Sequence, residues 1–347
     1  MKESEKHFSG LITLVIVFFF WGFVAASNAV FIPFCKNYFH LSQFQSQLID
    51  TAFYGAYYFG ALALFLYSSN KKMDLINKWG YKTSIIYGLI ISVVGAFSMI
   101  LGVNIQSYNL ILISLFIIAI GFCLQQISAN PFTISLGPPE TGSHRLNLAG
   151  GINSLGTTIG PIILSLVLFG DVLSENAKIS NMTILYIFLA ILFLLAAIFL
   201  KYAKNLPNLK HKSTVESAPQ AVILLIKLTT IIIGLLLLTF IPIIQNNENF
   251  SMLTIGLLLL LIIYVVSRPL FKKNKKLKDW GAMKYPQLVL GMLAIFSYVG
   301  VEVTIGSNLG ALLKTPEFGN ITEANNSHFI AMYWGSLMIG RWLGAIT

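Results

Sequence analysis

Long apolar runs broken by short polar stretches repeat along the whole chain, and this rhythm predicts its elements before any motif is considered. Ten runs are discernible, at 10–34, 48–68, 82–103, 109–133, 148–170, 182–202, 219–245, 250–268, 287–313 and 326–347. Each holds about 20 residues or more, enough for an α-helix to cross a hydrocarbon core of ~30 Å. The predicted fold is therefore all-α and polytopic. Polar Met1–His7 leads into Leu11–Phe34, which lacks a small-residue cleavage site and is too long for a signal sequence, so the first run is expected to stay in the protein.

The polar stretches carry the second pattern. Assigned alternately to the two sides of a membrane, one set of loops holds Lys2, Lys6, Lys71, Lys72, Lys78, Lys82, Arg145, Lys201, Lys204, Lys210, Lys212, Arg268, Lys272, Lys273, Lys275, Lys276, Lys278 and Lys284. The other set holds Lys36, Lys178 and Lys314. Such a bias places the N-terminus in the cytoplasm, and one missed helix would scramble it. Composition agrees: hydrophobic residues make up 56% and charged residues 10% of the 347, far from any soluble domain. The formal net charge of +10 sits in alternating loops, so no nucleic-acid partner is expected. The partner surface is the lipid bilayer, and a monomer is expected.

Three regions are predicted. Residues 1–204 form a six-helix lobe with short loops. Residues 205–285 hold two basic stretches around a nearly pure Ile/Leu pair of spans, read as an inserted, lipid-facing hairpin with Lys227 snorkelling to an interface. Residues 286–347 return to the Gly-containing, partly polar character of the first lobe. There Trp334-Gly335 with Gly340 echoes Tyr54-Gly55 with Gly60, a weak internal repeat of the kind two-lobed carriers show. The chain stops inside its last span without a polar tail, so it reads as truncated.

Polar residues at membrane depth are the candidate chemistry. Glu302 lies about ten residues from either end of its span, where a carboxylate is costly and seldom idle. No Lys or Arg is expected at mid-span beyond Lys227, so a buried ion pair is the weaker reading, and Glu302 is the candidate for binding and releasing a proton. In the fourth span Gln126 and Asn130 lie four apart on one face, followed by Pro131, which is expected to end or kink the helix. Amides donate and accept, as a sugar's hydroxyls require; interhelical bonding is the competing account. Asn153 sits among Gly150, Gly151, Gly156 and Gly160, where helix packing and a cavity-facing amide are both open readings. Asn28 with Trp21 two turns earlier offers an amide and an aromatic face, the pair by which proteins grip sugars. Asp50 opens the second span, where a helix N-terminus favours an anion; capping and a role in coupling both remain open.

Absences narrow the class. There is no phosphate-binding loop of an ATP-driven pump, no nucleophile elbow, and no His/Cys/Asp cluster at metal-ligand spacing. Cys35 and Cys123 suggest no disulfide framework. No enzyme activity, cofactor or metal is expected.

Phe19-Phe20-Trp21-Gly22, Phe44-Gln45-Ser46-Gln47-Leu48, Ala52-Phe53-Tyr54-Gly55, Ser128-Ala129-Asn130-Pro131-Phe132, Leu136-Gly137-Pro138, Arg145-Leu146-Asn147-Leu148-Ala149, Asn153-Ser154-Leu155-Gly156, Tyr298-Val299-Gly300-Val301-Glu302 and Gly340-Arg341 together carry a resemblance. The chain resembles the fucose–galactose–glucose:proton symporter family of the major facilitator superfamily, and within it the bacterial glucose/galactose branch. That resemblance implies a twelve-helix carrier with six helices per lobe, a central sugar site and alternating access in a bacterial inner membrane; four helices would lie beyond this chain. It implies substrate-binding roles for Asn28, Gln126, Asn130, Asn153 and Glu302, with Trp21 or Tyr298 stacking on the ring. The fucose-type member has acids at the places of Ala29 and Gln126, and both are missing here. A glutamine at the second place fits the glucose/galactose branch. Proton coupling then falls to Glu302 or Asp50, with a sodium-coupled or uncoupled carrier, a carrier of another small polar solute, or a non-transporting sensor as alternatives.

Overall fold

The computed structural model describes residues 3–169, 179–209, 215–216, 218–238, 241, 248–267, 277–321 and 323–346. Lys2, Lys178, Lys210, His211, Lys212, Arg268, Lys272, Lys273, Lys275, Lys276 and most of the end of the 219–245 run lie outside them. Each predicted span corresponds to a helix: α1 Glu3–Tyr38, α2 Gln43–Lys71, then after the short α3 Leu75–Trp79, α4 Tyr81–Asn104, α5 Tyr108–Ser135, α6 Gly142–Phe169, α7 Asn181–Tyr202, α8 Pro219–Leu238, α9 Glu248–Ser267, α10 Pro286–Leu313 and α11 Glu323–Ile346. Eight candidate spans, α1, α2, α4 to α8 and α10, are long and apolar enough to cross a membrane; α9 has a shorter apolar core, Ile255–Tyr264. Pro131 does not end α5, which runs on to Ser135.

The chain divides into two compact units. The first comprises Met1–Ala61, Ile76–Lys212 and Val303–Thr347; the second comprises Leu62–Leu75 and Ser213–Glu302. The division falls inside α2 and α10.

In the first unit the helices meet where glycine lets backbones touch. A Cβ at Gly22 of α1 would sit 2.0 Å from the Asn153 carbonyl oxygen of α6, and one at Gly156 would sit 2.3 Å from that of Phe19. Gly88 and Gly121 do the same reciprocally for α4 and α5, at 2.5 and 2.4 Å from one another's carbonyl oxygens. Small residues at crossings are how helices associate in lipid, which offers no hydrophobic drive of its own. Beside these crossings Phe122 stands edge-on to Phe193 at 5.7 Å, and Phe193 to Phe20 at 5.1 Å.

Side chains close the helix ends. Arg145 donates to the carbonyls of Thr133, Ile134 and Pro138 and to the Thr141 hydroxyl, satisfying acceptors that the end of α5 leaves open. After α7 the chain lies as a strap over residues 203–209. Asn205 donates to Ser9 and Thr13 of α1 at 2.9 Å, and Asn208 bonds the Trp79 carbonyl and the Thr83 hydroxyl at the start of α4. Lys82 donates to the Ala203 carbonyl at 2.7 Å, and Leu206 is buried beneath. Gly80 has φ of +87°, and a Cβ there would meet the Asn208 side chain at 2.1 Å, so the strap requires glycine at that turn.

The second unit is small. Ala218, just before α8, and Ala221, Leu224 and Leu228 of α8 pack with Trp280, which lies in the 3₁₀ turns Leu277–Lys284. Lys284 pairs with Glu216 at 2.8 Å. Ile223, Ile226, Leu236, Leu237 and Leu238 stay exposed along α8, as a lipid-facing helix requires.

Candidate functional site

On α5 the two neighbouring glutamines take opposite parts. Gln125 is fully buried: its Oε1 accepts from the Trp21 indole at 3.1 Å and its Nε2 donates to Ser92 Oγ at 3.1 Å. Ser92 in turn donates to the Gly88 carbonyl at 3.1 Å. This relay ties α1, α5 and α4 at depth. Gln126 and Asn130, one turn apart on the adjoining face, are only half-buried, and neither amide has a hydrogen-bond partner among the described residues. One residue on, Pro131 offers no N–H to the Ile127 carbonyl, so the same turn holds a further acceptor released from the helix ladder. Two free amides and a released carbonyl can bond several hydroxyls of one ligand.

Trp21 itself is 2% exposed, packed 4.5 Å from Phe18 with its indole spent on Gln125. Asn28 is also buried and donates from Nδ2 to Asp50 Oδ1 at 3.1 Å. The second oxygen of Asp50 accepts from the Ser307 hydroxyl of α10. One turn earlier, Gln47 reaches Asn308 at 3.5 Å. Asp50 is thus the shared acceptor of α1 and α10, a more specific placement than a helix cap. Ser27 and Asn28 also form the polar side of a small cavity walled by Phe23, Phe31, Leu164 and Tyr186. Its volume suits about one water, far less than a sugar.

Asn153 donates to the Phe18 carbonyl at 2.9 Å, which makes it part of the α1–α6 crossing. Its Oδ1 lies 3.5 Å from a guanidinium nitrogen of Arg341, which also donates to the Gly150 carbonyl at 3.3 Å. The expectation that no Arg or Lys reaches the depth of the candidate residues is corrected here. Arg341 starts near the end of α11, and its long side chain carries the charge inward to Asn153. Tyr298 and Glu302 belong to the second compact unit on α10, Tyr298 being half exposed and Glu302 half-buried.

The sequence of residues 12–345 matches the family model of the Major Facilitator Superfamily. The chain belongs to the Major Facilitator Superfamily. It is 29% identical to the glucose/galactose transporter of Brucella abortus over 99% of this chain and 68% of that protein. Over 51% of this chain and 39% of the other, it is 31% identical to the L-fucose-proton symporter of Escherichia coli. Among solved structures, a peptide transporter crystallised with sulfate superposes with a TM-score of 0.54 at 14% identity, covering 99% of this chain and 72% of that one. That likeness shows the fold. The chain is accordingly a multi-pass membrane protein of a transporter superfamily.

Within this Major Facilitator Superfamily chain, Gln125, Ser92, Ser307 and Arg341 join the polar network without having been given a role from the sequence. Gln125 had a readable signal: it shares a face with Gly121 and Ser128, the small residues of the α4 crossing. Ser307 had none, since only the fold sets it against a residue 257 positions away.

Proposed function

We propose that this chain is a hexose carrier of the glucose/galactose type that works by alternating access and couples sugar entry to protons. The observation that carries the reading is the pair Gln126 and Asn130. They are half-buried amides with no partner among the described residues, on a helix of a chain whose relative over 99% of its length is a glucose/galactose transporter. Neutral amides suit a neutral polyol, because they donate and accept without demanding a counter-charge. Trp21, Asn28 and Asn153 support the site in this reading by fixing α1 and α6; Tyr298 and Glu302, in the second compact unit, keep the binding roles expected from the sequence.

Coupling is assigned to Glu302, with Asp50 as the second acid. A proton is preferred over sodium because a relative along half the chain is a fucose-proton symporter. The bias of Lys and Arg towards one set of loops supports a cytoplasmic N-terminus in a bacterial inner membrane.

Counterflow of labelled glucose, galactose and fucose into liposomes holding the full-length protein tests the substrate. Glucose and galactose should exchange faster than fucose. Glu302→Gln should abolish proton-driven accumulation while leaving exchange intact. Normal accumulation by that variant, with Asp50→Asn failing instead, would move the coupling role to Asp50; normal accumulation by both would end the proton assignment.

A further inference from the structure

At the middle of α11 stands a tryptophan whose indole nitrogen is unspent. Trp334 is 8% exposed, yet its Nε1 has no hydrogen-bond partner among the described residues. It lies 11 residues after Glu323 and 12 before Ile346, the ends of the helix. At ~1.5 Å per residue that is roughly 17 Å from each end, the middle of the helix. Buried donors in folded proteins nearly always find an acceptor. The missing acceptor therefore has to be explained.

The ring is not loosely held. It lies directly on Gly306 of α10, where a Cβ would come within 2.6 Å of Trp334 Cζ2. Tyr333 stands across from it at 5.2 Å, steeply inclined. Beside it, Gly335 leaves Thr158 of α6 as its nearest neighbour, at 3.6 Å from where a Cβ would be. A glycine shelf on α10 thus sets the plane of the indole and leaves its one polar atom without an acceptor among the described residues. Trp21 makes the contrast: it is equally buried, but its N–H is bonded to Gln125.

We propose that Trp334 is a ligand-binding residue whose indole N–H donates to a hydroxyl oxygen of the hexose, with Gly306 fixing the ring in the plane that this bond requires. The inference rests on the hexose reading above and adds a residue to it. An indole only donates and carries no charge, so it fits a hydroxyl oxygen and gives no preference for an anion. A hydrogen bond of this kind discriminates between a sugar and its deoxy analogue, because removing the hydroxyl leaves the donor buried and unpaired again.

The test uses the full-length protein in liposomes and measures competition of monodeoxy glucoses and galactoses against labelled hexose. In the native protein one deoxy position should compete about tenfold less well than the parent sugar. Trp334→Phe should bind the parent sugar about tenfold more weakly and lose the penalty at that one position. Incorporating benzothienylalanine at 334, which keeps the ring and replaces N–H by sulfur, should do the same and serves if the Phe variant folds poorly. A folded variant that binds hexose as tightly as the native protein, or that keeps the full penalty at every hydroxyl, overturns the proposal; a trapped water on Nε1 predicts this result. If the native protein shows no saturable hexose competition, the hexose reading falls and takes Trp334 with it. Hexose competition with unchanged hydroxyl penalties removes Trp334 alone.

Discussion

Gln125→Met tests the relay that joins α1, α4 and α5. Methionine fills nearly the same volume, so the change removes polarity and leaves the packing. Two buried bonds disappear, each 3.1 Å long, one from Trp21 and one to Ser92. Side-chain hydrogen bonds between membrane helices are worth ~0.6 kcal/mol on average, so their loss accounts for about 1 kcal/mol. The Ser92 hydroxyl keeps the Gly88 carbonyl as an acceptor. The Trp21 N–H keeps nothing, and a buried unsatisfied donor costs ~1–3 kcal/mol. The variant should therefore be destabilised by about 2–4 kcal/mol, measured by reversible unfolding in bicelles. Adding Trp21→Phe removes the orphaned donor, so the double variant should recover about 1–2 kcal/mol relative to the sum of the singles. Strict additivity, or a Gln125→Met variant within ~0.5 kcal/mol of the native protein, would show that the relay is incidental to the fold.

Two further outcomes follow from the geometry. Gly156→Ala places a methyl 2.3 Å from the Phe19 carbonyl oxygen, and because backbone cannot yield as a side chain can, unfolding should show a loss of ~1–3 kcal/mol; an unchanged midpoint would mean that the α1–α6 crossing is looser than described. The hydrogen bond that Lys284 donates to the Glu216 carboxylate holds its ammonium above its ordinary 10.5. A raised lysine stabilises fully below that ordinary value and loses its contribution as pH rises through the raised one. Glu216→Gln should therefore lower stability evenly below pH 10.5 and remove the fall above it, by a small amount because the pair is exposed.

The helices were legible because a bilayer imposes a length and an apolar composition on each of them. Their ends were not: the 10–34 run becomes Glu3–Tyr38, since helix continues into the polar flanks once started. Glycines were legible as crossing points, and Gly22, Gly156 and Gly160 are just that. Orientation was harder. With apolar residues on all sides of α5, the small residues Gly121 and Ser128 on the face of Gln125 are the one local sign that it meets a neighbour, and Gly88 and Ser92 complete that contact from another helix. Asn153 among its glycines is compatible with packing and with a cavity, and its bond to the Phe18 carbonyl gives it the packing role in this structure. Asp50 reads locally as a helix cap because its real partners, Asn28 and Ser307, arrive from sites far apart in the chain. The reach of Arg341 was hidden for the same reason as that of any long side chain: its backbone position understates it.

The strap at 203–209 has a bearing on how this protein can be cut and rejoined. Helix α7 ends at Tyr202, which invites a break immediately after it. Such a break would free Asn205 and Asn208 and strip hydrogen bonds from the first turns of α1 and α4. Leu206, now buried, would become a hydrophobic loose end. A protease tag, a fluorescent insert or a split into two co-expressed pieces placed anywhere from Ala203 to Leu209 would therefore cut these ties. The apolar run marks where the helix ends, while the asparagines show that the lobe's hold on the chain continues past it.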